Sequence, residues 1–471
     1  MLVGNYSSRY YHYIDAYAAY NLARPSSAGP TVNDTNLKVE LVFKGLKSPT
    51  SMAFLGPNDI LALEKSQGTV QRIVNGKMLP EPVLRVPVAN NEERGILGIA
   101  ISKHTANATT NGKDQPVYVF LYYTLSGGGK NGDDRPGPGG GIGVQPLGNR
   151  LYRYDLDHAD NDKLINPKLL LNLPAIPANA TSRETSHNGG KVVVGPDKNV
   201  YLIIGDVGRH QGQAQNVGNG SRLDGTSGIL RVSQEGQPAT NPPLVSAGVG
   251  SQGSANSNMT KYYYAYGIRN SFGMDFDPVT GKLWDTENGP AFGDEINLVK
   301  PGFNSGWNHV QGIWKPDLGT GLAENVVVNP AANLVNFGGK GKYSPPQFTW
   351  LYTIAPTALK FLNSTKLGKQ YQNDMYVGDV DTGSIYHFKL NTKRDGLQLS
   401  GPLSDKIANT PQESQRAVFG HGFGTITDLQ VAPDGYLYVL SYTSGAIYRI
   451  VPANTSSVAI PNQLHNDTKS N

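Results

Sequence analysis

The chain has 471 residues, with 41 Lys plus Arg against 37 Asp plus Glu, a formal net charge of +4 and no cysteine. So small a charge, on scattered basic residues, excludes a nucleic-acid groove, and the lack of thiols excludes disulfides, thiolate metal sites and cysteine nucleophiles. No apolar run approaches the ~18 residues of a transmembrane segment, and 38% hydrophobic against 17% charged residues describes a globular chain.

From the N-terminus, residues 1–35 read as a Tyr-rich arm, with Tyr10, Tyr13, Ile14 and Tyr17 at helical spacing before Pro25. Such a stripe packs on the neighbouring domain or offers itself to a surface partner. Residues 36–454 read as one domain built from a repeated unit. Its first half is a turn followed by an alternating strand. Gly56-Pro57-Asn58-Asp59 leads into Ile60–Leu63, Gly195-Pro196-Asp197 into Val200–Ile203, Asp277-Pro278 into Lys282–Trp284, and Ala432-Pro433-Asp434-Gly435 into Tyr436–Val439. Proline presets φ for the first turn position and Asp or Gly tolerates the next, so each predicts a hairpin.

The second half is a strand of small, apolar and polar residues in alternation. It recurs at Thr69–Ile73, Arg150–Tyr154, Gly228–Val232, Glu295–Leu298, Ser384–Phe388 and Ala446–Ile450. Six copies of a unit that buries its faces only against its neighbours predict an all-β, six-bladed β-propeller. The 56 glycines and 31 prolines suit many short strands joined by tight turns. The Gly-rich segments 126–148 and 246–260 read as surface loops, and 455–471 as a polar C-terminal tail.

Several strands end in a small residue and an acid: Gly205-Asp206, Thr286-Glu287 and Gly378-Asp379. Repetition should bring these acids to one rim of the tunnel, beside Ser186-His187-Asn188-Gly189-Gly190 and Tyr266-Gly267-Ile268-Arg269-Asn270. Taken with Glu93-Arg94-Gly95-Ile96-Leu97-Gly98, Glu287-Asn288-Gly289-Pro290, Gly293–Leu298 and Gly306-Trp307, this ordered set resembles the soluble glucose/sorbosone (aldose sugar) dehydrogenases over roughly residues 38–452.

The resemblance implies an oxidoreductase that uses pyrroloquinoline quinone (PQQ) and Ca²⁺ to oxidise a small-molecule sugar and then passes electrons to an external acceptor. His187 matches the general base and Asp206 the acid that supports it. An adjacent carboxylate would hold the histidine tautomer and favour proton uptake. Glu93, Arg269, Asn270 and Asn288 match cofactor-binding positions, with Glu93 where the family often has Gln. Trp350, before Ala355-Pro356, resembles an aromatic wall over cofactor or sugar. Gly289 and Pro290 match the pair whose carbonyls hold the metal, and a hard cation suits such oxygens.

The sequence departs from that pattern where three basic residues are expected. Asp381, Thr425 and Thr427 stand there instead, and a tricarboxylate needs fixed cations. Arg209, His210, Lys360 and His421 are candidate substitutes. A rival reading is a non-catalytic surface propeller that binds a protein or glycan. Nine Asn-x-Ser/Thr sequons, at Asn5, Asn33, Asn107, Asn179, Asn219, Asn258, Asn363, Asn454 and Asn466, point to an extracellular or cell-surface glycoprotein, although no signal peptide is visible at Met1.

Overall fold

The four turns read from the sequence each close an antiparallel hairpin. Pro49–Gly56 pairs with Asp59–Glu64, Val192–Val194 with Val200–Ile204, Gly273–Phe276 with Leu283–Glu287, and Ile426–Val431 with Leu437–Ser441. In three of them the turn aspartate accepts the amide two residues on: Asp197 from Asn199 (3.1 Å), Asp277 from Val279 (3.1 Å) and Asp434 from Tyr436 (3.0 Å). That local bond is why the sequence turns there. The recurrent strands then add antiparallel as Thr69–Val74, Pro146–Asp157, Gly228–Val232, Asp294–Val299, Ile385–Phe388 and Ala446–Pro452.

This computed structural model describes residues 29–103, 117–135, 143–157, 163–176, 184–209, 216, 223–245 and 259–454. The tyrosine stripe, residues 136–142 and 246–258 of the two Gly-rich segments, His210, the tail and the sequons at Asn5, Asn107, Asn179, Asn219, Asn258 and Asn466 lie outside the described residues.

Among the described residues six sheets of four to six strands form, and a two-stranded ribbon, Trp314–Pro316 with Ala323–Val326, stands apart from them. The first strands of the sheets are Pro49–Gly56, Ile96–Lys103, Val192–Val194, Gly273–Phe276, Pro356–Phe361 and Ile426–Val431. Each touches the next, and the last touches the first. The fold is therefore all-β in a β-propeller arrangement. Among the described residues, helix is confined to short 3₁₀ turns and one α-helical turn, Pro411–Ser414, capped by Thr410.

Alternation explains how the sheets stack. In Asp59–Glu64, Leu61 and Leu63 face Ile96, Val119 and Leu121, whereas Ile60 and Ala62 face Tyr438 and Leu440. In Val200–Ile204, Leu202 and Ile204 pack towards Phe120 and Tyr122, and Tyr201 and Ile203 towards Met274 and Leu283. Each central strand is buried on both faces by the neighbouring sheets.

The first long strand and the last strand of the described chain share a sheet. Leu37–Lys44 pairs antiparallel with Ala446–Pro452 as its outer strand. Thr31–Val32, which precedes the expected start of the domain at residue 36, pairs with Val418–His421, and the Asn33 side chain donates to Val418 O at 2.7 Å.

Candidate active site at one mouth of the ring

Within six residues before each first strand the chain passes through at least one left-handed residue: Ser48 (φ +50°), Glu92 (+46°), His187 (+62°), Gly267 (+70°), Ala355 (+52°) and Gly424 (+73°). The six loops that carry these residues open on one mouth of the ring. Four of the six are not glycine, and a non-glycine side chain at positive φ is held there by its surroundings. The loops enclose a cavity of about 450 Å³, whose lining includes Lys65, Glu93, His187, Lys191, Arg209, Arg269, Asn270, Asn288, Thr425 and Thr427. A second space of about 270 Å³ continues past His187, Arg209 and Arg269 to Asp206, Pro290, Trp307 and the ribbon turn at 316–321.

His187 is 4% exposed and its Nδ1 lies 2.5 Å from Asp206 Oδ1. Asp206 is fully buried, and its other oxygen accepts the Trp307 indole N–H at 2.9 Å. Both carboxylate oxygens are thus committed, which fixes the plane of the carboxylate and with it the imidazole ring. The backbone under His187 needs its two glycines: a Cβ on Gly189 would stand 2.6 Å from Ile203 O, and one on Gly190 2.7 Å from Leu97 Cβ.

Glu93, Asn188, Gly189 and Asn270 tie three loops together. Glu93 Oε2 accepts from Asn188 N (3.1 Å) and Asn270 Nδ2 (3.2 Å), while Asn270 Oδ1 accepts Gly189 N (3.2 Å). Arg269 lies over the Trp307 ring at 5.4 Å, and its Nη1 donates to the Asn288 and Gly289 carbonyls, both at 2.9 Å. Burial pulls the Arg269 guanidinium below its ordinary value. Beneath it, Glu287 accepts Arg269 N (2.8 Å) and Ser305 Oγ (2.5 Å), and burial pushes its carboxyl up to about 7. Burial, reinforced by Glu287, pushes Glu295 up as well.

Of the three strand-end acids, Asp206 and Glu287 meet around Arg269, whose carbonyl accepts Asp206 N at 2.9 Å. Asp379 instead closes its own turn, accepting Thr382 N (2.8 Å) and Gly383 N (2.7 Å). Trp350, expected as a wall of the site, is a core residue. It is fully buried, donates to Ser414 Oγ at 3.0 Å and packs against Phe348, Tyr386 and Phe388. The reason is topological: Phe348–Trp350 pairs outside Asp294–Val299, far along its sheet from the first strand. Phe272 and Tyr442 are the aromatic residues that line the cavity.

Thr425 and Thr427 line the cavity where cations were expected, and Asp381 lies close enough to Asp294 to help raise its carboxyl. Of the candidate substitutes, Arg209 lines both spaces. Lys360 pairs with Asp275 at 3.1 Å in the opposite mouth, a wider space of about 690 Å³. His421 lies 3.4 Å from Thr31 on a sheet edge. The sequence reading missed two cations of the cavity, Lys65 and Lys191. Lys191 directly follows Gly190 and pairs with Asp428 at 2.5 Å.

Whether these residues suit PQQ and a metal is a question of chemistry. Lys191 is taken up by Asp428, which leaves Lys65, Arg209 and Arg269 on the lining beside Glu92 and Glu93 to meet an anion. The Asn288 side-chain oxygen is buried without a hydrogen-bond partner and waits for a donor or cation. Among the described residues no three His, Asp or Glu side chains are grouped to hold a metal, and the Gly289 carbonyl already receives Arg269. The cavity therefore fits a polyanion, and a cation would rest on carbonyl and amide oxygens.

A propeller with a buried histidine–carboxylate pair at one tunnel mouth defines the class of protein. The profile of the glucose/sorbosone dehydrogenase family matches residues 46–449, and the chain belongs to that family. It is 25% identical to quinoprotein glucose dehydrogenase B of Acinetobacter calcoaceticus, over 91% of this chain and 90% of that one. It is also 25% identical to aldose sugar dehydrogenase YliI of Escherichia coli, over 91% and 95%. Among solved structures, a putative glucose dehydrogenase of Thermus thermophilus superposes with a TM-score of 0.60 at 23% identity, covering 88% of this chain and 100% of that one. The PQQ-bound aldose sugar dehydrogenase of Streptomyces coelicolor gives 0.57 at 20% identity, covering 89% and 99%. These two likenesses speak for the fold.

Proposed function

We propose that the protein oxidises an aldose sugar or related alcohol with PQQ as cofactor, and that His187 is the general base. The observation that carries this reading is the buried His187–Asp206 pair, 2.5 Å apart, beside a cavity lined by Lys65, Arg209 and Arg269. Each sheet of four or more strands counts as one blade of a six-bladed propeller. Support for that count comes from the cyclic contact of the first strands.

PQQ, when bound, supplies a quinone that accepts the hydride from the sugar carbon. The chain's own residues do the rest. Asp206 holds the His187 proton on Nδ1, which leaves Nε2 with the lone pair that takes the hydroxyl proton. Arg269, Asn270 and Asn288 orient the planar polyanion, while Lys65 and Arg209 balance its charge. Ca²⁺ is assigned to the Gly289 and Pro290 carbonyls. An external acceptor then takes the two electrons. The sugar approaches through the space beside Trp307 and Pro290, which the ribbon turn partly covers.

One observation favours the rival reading of a non-catalytic binding propeller: hydroxyls, not cations, stand at Thr425 and Thr427. Titration with PQQ and Ca²⁺ separates the two. Saturable binding at micromolar PQQ, followed by dye reduction with an aldose, is expected. Absence of binding at that concentration removes the enzyme reading and leaves the rival.

A further inference from the structure

The cavity has an end with no obvious anchor, where Thr425 and Thr427 line the wall. Thr427 Oγ1 donates to Pro49 O at 2.9 Å, which places it against the loop before the first sheet. That loop also accepts Lys65 N at Ser48 O (3.1 Å), and Thr50 Oγ1 donates to Ile96 O (2.8 Å), whose own amide bonds Lys65 O (3.1 Å). These bonds set the Lys65 backbone beside the segment that Thr427 touches, and all three residues line the same cavity. The sequence hid this relation, because residues 425–427 lie more than 300 residues from Lys65 and the 48–50 segment.

Lys65 is 9% exposed, and among the described residues its ammonium donates to one protein group, the Asn90 carbonyl, at 3.1 Å. An ammonium has three donors, and burying the charge is costly unless they are used. The carboxylates that act on it are already engaged elsewhere. Glu93 receives Asn188 and Asn270, and Asp134 forms a buried ion pair with Arg94. Lys191, the other lysine of this wall, is paired directly with Asp428, which also receives Ser51 Oγ and Met52 N at 2.9 Å. Among the described residues Lys65 has no ion pair of that kind, and it lines the cavity.

We propose that Lys65 holds a carboxylate of the bound cofactor at the Thr425–Thr427 end of the cavity, in place of the basic residues that the chain lacks at 381, 425 and 427. The assignment rests on the PQQ reading given above. It changes how the site is held: the anchoring cation comes from the strand end of the first sheet and not from the fifth and sixth sheets.

The test is an equilibrium titration of the full chain, in Ca²⁺, with PQQ and with its trimethyl ester, followed by quinone absorbance and tryptophan quenching. Lys65→Met should weaken PQQ binding roughly 10- to 100-fold, the range for a charged hydrogen bond in a partly desolvated site. Lys65→Arg should restore most of the affinity, and Lys360→Met, in the opposite mouth, should change nothing. The penalty of Lys65→Met should disappear with the ester, which has no carboxylate to pair. A wild-type affinity in Lys65→Met, or a penalty equally large with the ester, overturns the assignment while the PQQ reading stands. Failure of the wild-type chain to bind PQQ removes that reading, and this assignment falls with it.

Discussion

Replacing Asp206 by Asn probes the histidine pair through its hydrogen-bond polarity. Asp206 Oδ1 faces His187 Nδ1 at 2.5 Å and Oδ2 receives the Trp307 indole N–H at 2.9 Å. An indole nitrogen can only donate, so the new amide must give its oxygen to Trp307 and its NH₂ to His187. Nδ1 then becomes the acceptor, the ring proton moves to Nε2, and the nitrogen needed for the substrate loses its lone pair. Loss of a correctly placed base of this kind costs about 10²- to 10⁴-fold in rate, or about 3–5 kcal/mol of barrier. The assay is kcat for dye-coupled aldose oxidation by the PQQ-loaded protein, with PQQ affinity as the control that should stay unchanged. A second substitution sharpens the test. In Asp206→Asn with Trp307→Phe the amide is free to turn its oxygen towards Nδ1, and about tenfold of the lost rate should return. The argument is refuted if Asp206→Asn keeps kcat within about threefold of wild type, or if the double variant is no faster than the single.

Two further outcomes follow from buried charges. The Glu287 carboxyl is raised by burial from 4.5 to about 7, so between those values the folded state binds more protons than the unfolded one. Its contribution is fully present below about pH 4.5 and is lost as pH rises through about 7. Glu287→Gln keeps an acceptor for Arg269 N and should raise the melting temperature at pH 8 with little change at pH 5; a difference independent of pH contradicts the linkage. Arg394 clamps the buried Asp277 with Nε and Nη2 at 2.7–2.9 Å, at the end of its strand away from the cavity. Arg394→Met strands that carboxylate and should cost about 3 kcal/mol in denaturant unfolding while leaving kcat alone; equal loss of activity and stability would contradict the placement.

What the sequence made legible was local chemistry. Turn aspartates such as Asp197 and Asp434 announce their hairpins because the bond that makes the turn spans two residues. His187, Asp206, Arg269 and Asn270 were also readable, since each sits on or beside a strand end that repetition carries to one mouth. Trp350 was misplaced because position along a sheet, from axis to rim, is set by strand pairing and not by the motif around the residue. Lys65 was missed for a related reason: its company at the cavity end comes from residues 48–50 and 425–427. The Trp307–Asp206 bond spans 101 residues, and nothing in Gly306-Trp307 by itself names its acceptor.

The sheet shared by Leu37–Lys44 and Ala446–Pro452 sets the order of events during synthesis. The ring cannot close until its final strand has left the ribosome, so Leu37–Lys44 waits for about 400 residues to follow it. At ~5–20 residues per second that wait lasts roughly 20–80 s. Throughout it, an alternating strand has its backbone groups unpaired, and pairing with another chain's nascent strand competes with closure. The last seven residues of the ring therefore act as a latch, and the early sheets must hold together without it.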